Sequence, residues 1–191
     1  MARRISKLNR LNIVLSVTGG IAAYKAVDLA SKLTAAGACV STIMTANACE
    51  LIKPKTFEAV TGRCVGTSLW QSDDKIGHID IAEDADIVVV APATANIIGK
   101  AASGICDDLL STVLCACWQK PVLFAPAMND KMWTNPAVQW NVKALGEMGF
   151  EIIGPEKGRL ACGTEGVGRM AEASDIFKRL EVIAAKLKKK K

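Results

Sequence analysis

Five short stretches of this chain carry the residue types that hold small ligands, and each follows an apolar run. They are Thr18-Gly19-Gly20-Ile21, Thr45-Ala46-Asn47, Pro92-Ala93-Thr94-Ala95-Asn96, Pro126-Ala127-Met128-Asn129 and the glycine-rich loop Gly154 to Gly168 around Cys162. Glycines that open a helix let backbone approach closely, and the helix N-terminal amides favour an anion. Thr45 and Asn47 add hydroxyl and amide donors for a phosphate, and Thr94 to Asn96 can address a ring. Asn129 stands where a helix N-cap falls, with Met132 and Trp133 immediately after it to wall a pocket. Taken singly, each stretch is ordinary turn chemistry, and Asn129 alone reads as a capped helix. Five of them converging on one rim make a ligand site.

The rim excludes several ligands. Thr18-Gly-Gly-Ile is not the G-x-G-x-x-G dinucleotide fingerprint, and the second strand ends in Thr45 rather than an acidic residue for an adenosine ribose. The lysine and spacing of a P-loop are missing as well. A mononucleotide fits better than NAD, FAD or ATP.

The elements that must position these residues follow from hydrophobic periodicity. Leu11–Val17, Cys39–Met44, a short run around Val65, Asp86–Ala91, the run ending at Pro126 and Phe150–Ile153 read as strands. Helices fill the gaps: one with Val27, Ala30 and Leu33 at helical spacing, one broken at Pro54, a short one from Ile79, and a region from Ile97 to Trp118 with a break at Gly104. Another runs from Asp130 to Met148, with strain or a break at Pro136. A final amphipathic helix carries Ile176, Phe177, Leu180 and Ile183 on one face and is capped by Ser174. Strand and helix alternate throughout. The expected fold is therefore a three-layer α/β domain, an open and mostly parallel sheet with helices on both faces, Rossmann- or flavodoxin-like.

With 191 residues, 50% hydrophobic and 23% charged, the chain suits one domain with a sizeable core. Residues 1–10 read as a loose basic arm, 11–185 as the domain and 186–191 as a Lys-rich tail. The arm and tail hold nine of the positive charges, so a net charge of +5 leaves −4 on the body. A basic end on an acidic body argues against a nucleic-acid surface on the fold. No apolar run spans a bilayer and no signal-peptide core is present, so no membrane association is expected. Seven cysteines, an odd number without a C-x-x-C pair, suit a reduced, cytoplasmic setting. A single histidine argues against a zinc site, and no metal is expected.

The motifs Thr18-Gly-Gly-Ile-Ala-Ala-Tyr-Lys25, Gly77-His78-Ile79, Pro92-Ala-Thr-Ala-Asn96, Pro126-Ala-Met-Asn-Asp-Lys-Met-Trp133 and Leu160-Ala-Cys-Gly-Thr-Glu-Gly-Val-Gly-Arg-Met170 occur together in this chain. As a set they resemble the flavin-containing cysteine decarboxylases, over nearly the whole chain from Asn12 to about Ile176. The resemblance is strongest to the branch that acts in coenzyme A biosynthesis. The first and third motifs are also similar to those of flavin prenyltransferases, which lack the Asn-x-x-Met-Trp stretch. One departure is Ile97, where the family has a threonine after Pro-Ala-Ser-Ala-Asn; Thr94 replaces the serine and keeps its hydroxyl.

The resemblance implies FMN, held by Gly19, Gly20, Ile21, Thr45, Asn47, Thr94, Ala95 and Asn96, with Ala127 close by. It implies that Asn129 holds the substrate carboxylate, with Met132, Arg159 and Ala161 also at the substrate. His78 matches the catalytic histidine and Cys162 the cysteine of a mobile flap. The implied reaction converts 4′-phosphopantothenoylcysteine into 4′-phosphopantetheine by thiol oxidation, CO2 loss and re-reduction of the enethiol. An acylated nitrogen denies pyridoxal phosphate its Schiff base, whereas a flavin gives the Cα electron pair another sink. His78 would accept a proton, imidazole being suited to exchange near neutrality. Cys162 would return one, since a thiol pKa of about 8.5 keeps it mostly protonated. Two relatives compete: an oxidative peptidyl-cysteine decarboxylase, which needs no final proton donor, and a non-enzymatic FMN-binding regulatory subunit. The family also implies a homo-oligomer, a trimer or a dodecamer of trimers, with the flavin between protomers.

Overall fold

The computed structural model describes residues 6–70, 77–159, 161 and 163–188. Six parallel strands form its main sheet: β1 (Asn12–Val17), β2 (Cys39–Met44), β3 (Val65–Gly66), β4 (Ile87–Ala93), β5 (Val122–Pro126) and β6 (Glu151–Ile152). They lie in the order β3-β2-β1-β4-β5-β6. Side chains alternate across each strand, so a strand buried on both faces must be apolar at every position. Ile13, Leu15 and Val17 enter one core with Ile87, Val89, Leu123 and Ala125. Val14, Val88, Val90, Val122 and Phe124 enter the other.

Each core needs a layer of helices, because burying one Val, Leu, Ile or Phe side chain stabilises by about 1.5–3 kcal/mol. The first is covered by α1 (Ala23–Ala35), α2 (Ala46–Leu51), α3 (Pro54–Thr61) and α9 (Ala173–Leu187), through residues such as Leu29, Ala48, Phe57 and Leu180. The second is covered by α4 (His78–Asp84), α5 (Ala95–Ser103), α6 (Leu109–Ala116) and α8 (Pro136–Glu147), through Ile81, Ile97, Leu110 and Leu145. This is the three-layer parallel architecture expected from the alternation. Ile97, the departure from the family motif, is 1% exposed. Its side chain is committed to the second core.

One local expectation is sharpened and three change. The helix expected over 130–148 with strain or a break at Pro136 takes the break and becomes two: α7 (Asp130–Trp133), then α8, whose cap Asn135 accepts a hydrogen bond from Ala137 N at 2.9 Å. Pro136 occupies the first turn of α8, where its missing N–H has no intrahelical partner to lose. Helix α9 starts before Ser174, with Glu172 at the N-cap position and no side-chain cap; the Glu172 carboxylate is engaged elsewhere.

The loop from Gly154 to Gly168 is mostly an antiparallel hairpin, β7 (Glu156–Arg159) and β8 (Glu165–Arg169). It shows no apolar alternation because it covers a cavity instead of a core. Finally, the basic arm is anchored where it is described: Leu8 is fully buried and Ser6 Oγ donates to Glu181 at 3.0 Å. Residues 1–5 and 189–191 lie outside the described residues. Of the described cysteines, Cys117 is buried and Cys64, Cys106 and Cys115 are exposed.

Candidate active site

Strands β1 and β4 are neighbours, and their connections leave to opposite sides of the sheet. The crevice beyond their carboxyl ends is the topological switch point, where open α/β sheets bind ligands. Thr18 fixes its shape. The Thr18 hydroxyl is buried, donates to Pro92 O at 2.6 Å and accepts from Thr94 N at 3.2 Å. It ties the end of β1 to the loop after β4.

Gly19 follows, with Asn47 so close that a Cβ at Gly19 would collide with the Asn47 side chain. Only glycine lets these two strand ends meet. Helix α1 then begins without a side-chain cap: Ala23 N and Lys25 N donate to Gly20 O and Ala22 O at 2.8 and 2.9 Å, and the start of the helix lines the crevice.

The other wall is built on Asn129. Its Oδ1 accepts from Lys131 N at 2.9 Å, so this residue is the N-cap of α7 and the amide has a defined orientation. The hairpin is laid across this turn. Met128 N donates to Gly168 O at 3.0 Å. A Cβ at Gly166 would lie 2.7 Å from Asp130 Cβ, and one at Gly168 would overlap Met128 O. The Gly-Val-Gly of β8 is therefore a docking surface for the Met128–Asp130 turn, Gly166 against the Asp130 side chain and Gly168 against the Met128 carbonyl, which explains two glycines in a strand.

Between these walls lies a cavity of about 1070 Å³. Gly19, Gly20, Ile21, Thr94, Ala95 and Ala127 line one part of it, and Asn129, Met132, Arg159 and Ala161 line another. Five of the sequence-selected residues are not in this lining. Thr45 caps α2 by accepting from Ala48 N at 3.3 Å. Asn47 stands behind Gly19. Asn96 is exposed on α5. His78 opens α4, which packs into the second core, whereas the cavity is walled by α1 of the first. Trp133, expected beside Met132 as a wall, is also absent from the lining. Cys162 lies outside the described residues.

The cavity also collects charged residues to which sequence reasoning gave no role. Lys25 Nζ contacts Glu172 Oε1 at 2.9 Å and Met170 O at 3.3 Å, and Arg169 Nη2 bonds the same carboxylate oxygen. The hydrogen bond from Lys25, followed by that from Arg169, holds the Glu172 carboxyl below the usual carboxylate range. Lys25 and Arg169 stand inside motifs that the sequence singled out, but nothing in the sequence says that they meet.

A sequence model of the Flavoprotein family matches residues 1–185. Among curated proteins, the chain is 49% identical to the coenzyme A biosynthesis bifunctional protein CoaBC of Bacillus subtilis over 176 residues, which is 91% of this chain and 43% of that protein. It is 42% identical to the Haemophilus influenzae protein of the same name, over 90% of this chain and 43% of that one. The chain thus spans less than half the length of these relatives.

Among solved structures, it superposes with a TM-score of 0.81 and 34% identity on a cysteine-to-serine variant of PPC decarboxylase complexed with pantothenoylaminoethenethiol. That match covers 91% of this chain and 98% of the other. The FMN-dependent cysteine decarboxylase SpaF gives a TM-score of 0.79 at 32% identity, covering 93% and 99%.

Proposed function

The chain belongs to the Flavoprotein family, and from that premise we propose that it is an FMN-dependent decarboxylase. Its substrate would be 4′-phosphopantothenoylcysteine and its product 4′-phosphopantetheine, a step of coenzyme A biosynthesis. One observation carries the reading: the glycine rim at the switch point and the Asn129, Met132, Arg159 and Ala161 group face a single cavity. Similarity to PPC decarboxylase and to CoaBC proteins supports it.

The residues present fit FMN. Gly19 leaves no room for a side chain, the positive end of α1 lines the cavity, and about 1070 Å³ accommodates a cofactor together with a substrate arm. Gly19, Gly20, Ile21, Thr94, Ala95 and Ala127 would hold it. Thr45, Asn47 and Asn96 flank this rim and would complete the phosphate and ring contacts. FMN bound there would supply a two-electron sink and source for the substrate.

The protein's own groups do the rest. Asn129, fixed by its cap, orients the substrate carboxylate through amide donors. A neutral amide holds that group without a full positive charge that would keep CO2 from leaving. Met132 closes the pocket beside it and Arg159 contacts the carboxylate or phosphate. His78 accepts the thiol proton, and Cys162 delivers a proton to the enethiol carbon at the end. Because His78 opens α4 on the opposite face of the sheet, a second copy of the chain would bring it to the cavity. A homotrimer, alone or within a dodecamer, satisfies that requirement.

The test is to incubate the flavin-loaded protein with 4′-phosphopantothenoylcysteine and weigh the product. Native protein is expected to lose CO2 alone, and a Cys162→Ser variant to stop two hydrogens short. A native product already two hydrogens short would make it an oxidative peptidyl-type enzyme. No turnover by flavin-loaded native protein would sink the decarboxylase reading and favour the regulatory subunit.

A further inference from the structure

Three charged side chains on the cavity wall have no role in the chemistry above. Lys25 stands in the first turn of α1 and shares the cavity wall with Arg169 and Glu172. Its side chain is 12% exposed and is held by Glu172 and by Met170 O. Arg169, 41% exposed, bonds the same Glu172 oxygen from β8. One carboxylate therefore serves two cations and leaves the cluster with one positive charge. The other acidic residue in the lining, Asp28, is paired with Lys32 at 3.1 Å. Glu156 stands across from Arg169 in the hairpin register and is half-buried.

A strap joining α1 to α9 needs only the Lys25–Glu172 pair. The second cation has another use. A guanidinium has five donors in a planar fork, and one bond to Glu172 leaves most of them for a second acceptor. Carboxylate and phosphate both match this fork, and with the substrate carboxylate assigned to Asn129, phosphate is the group left for it. A carboxylate that grips one edge of the guanidinium also fixes the direction of the other.

We propose that Arg169, oriented by Glu172 with Lys25 locking that carboxylate from behind, selects the phosphorylated end of the substrate. This rests on the decarboxylase reading for the identity of the substrate, but its test reads binding and not turnover. Arg169 would be the specificity determinant and Glu172 a positioning residue.

The experiment titrates the flavin-loaded protein with 4′-phosphopantetheine and with pantetheine by calorimetry. Native protein should bind the phosphorylated compound more tightly by roughly 10- to 100-fold, the range for a charge-assisted contact. Arg169→Gln should collapse that ratio towards one by weakening the phosphorylated compound alone. Glu172→Gln should reduce the ratio partially, and Arg169→Lys should fall between native and Arg169→Gln. A native ratio near one overturns the proposal, whether or not the protein decarboxylates. So does an equal loss for both compounds in the variants, which makes the triad a structural strap. If Arg169→Gln loses its fold, Arg169→Lys and Glu172→Gln decide the matter on the same ratio.

Discussion

The Thr18 hydroxyl is used in both directions, as donor to Pro92 O and acceptor from Thr94 N. Valine has nearly the same shape and can do neither. Thr18→Val would leave a carbonyl and an amide unpaired beside a buried side chain, at a cost of about 1–3 kcal/mol. The urea midpoint should fall with an unchanged slope. Because the lost bonds define the rim, the purified variant should also carry less flavin than native protein.

Glu172 gives a prediction of a different kind. Its carboxyl is held below the usual range by Lys25 and then Arg169, so it stays ionised in the folded protein where it would protonate in the unfolded one. That contribution is fully present above the unfolded pKa, about 4.3, and fades as pH falls through the lower folded value. The melting-temperature gap between native and Glu172→Gln proteins should therefore be constant from pH 8 to 6 and narrow below about pH 5. A gap that widens in acid would contradict the assigned sign.

At the scale of elements, the hairpin is the informative case. Gly168 has Met128 O against the position of a Cβ, and Gly166 has Asp130 at 2.7 Å. Gly168→Ala should lift β8 off the Asn129 turn, which would appear as faster amide exchange across 156–169. The six-stranded sheet should stay protected. Gly146, in α8, has nothing within 4 Å of its would-be Cβ and no left-handed backbone. Gly146→Ala should stabilise by about 0.5–1 kcal/mol, read as a higher urea midpoint.

The same contrast explains what the sequence makes legible. Parallel strands buried on both faces announce themselves as apolar runs, so β1, β2, β4 and β5 are visible within a few residues. Glu-Gly-Val-Gly-Arg announces nothing, because its spacing records a close backbone approach and not a core. Asn129 is legible as a cap because the signal is local. The Lys25–Glu172 pair is not, since 147 positions separate its members and only the fold joins them.

At the scale of the whole molecule, the question is how His78 reaches the chemistry. The proposed reaction uses His78 and Asn129 together, yet the described cavity has Asn129 in its wall and His78 outside it. Within one chain, α4 is held to the second core by Ile81 and Ala82, and moving it across the sheet would expose that core. A closed ring of identical subunits resolves this without moving anything. In such a ring each cavity would take His78 from a neighbour and Asn129 from its own chain. The arrangement has a consequence for mixtures. His78→Asn and Asn129→Ala homo-oligomers should each be inactive. When the two are co-expressed and assemble at random, about a quarter of the sites receive an intact His78 and an intact Asn129 together. Activity should reappear at about that fraction of the native rate in the mixed oligomer, and separately purified variants mixed without subunit exchange should show none. If mixed oligomers form, as mass spectrometry can verify, and remain inactive, then each site draws both residues from one chain. The shared-site reading would then fail, and α4 would have to be repositioned in the working enzyme.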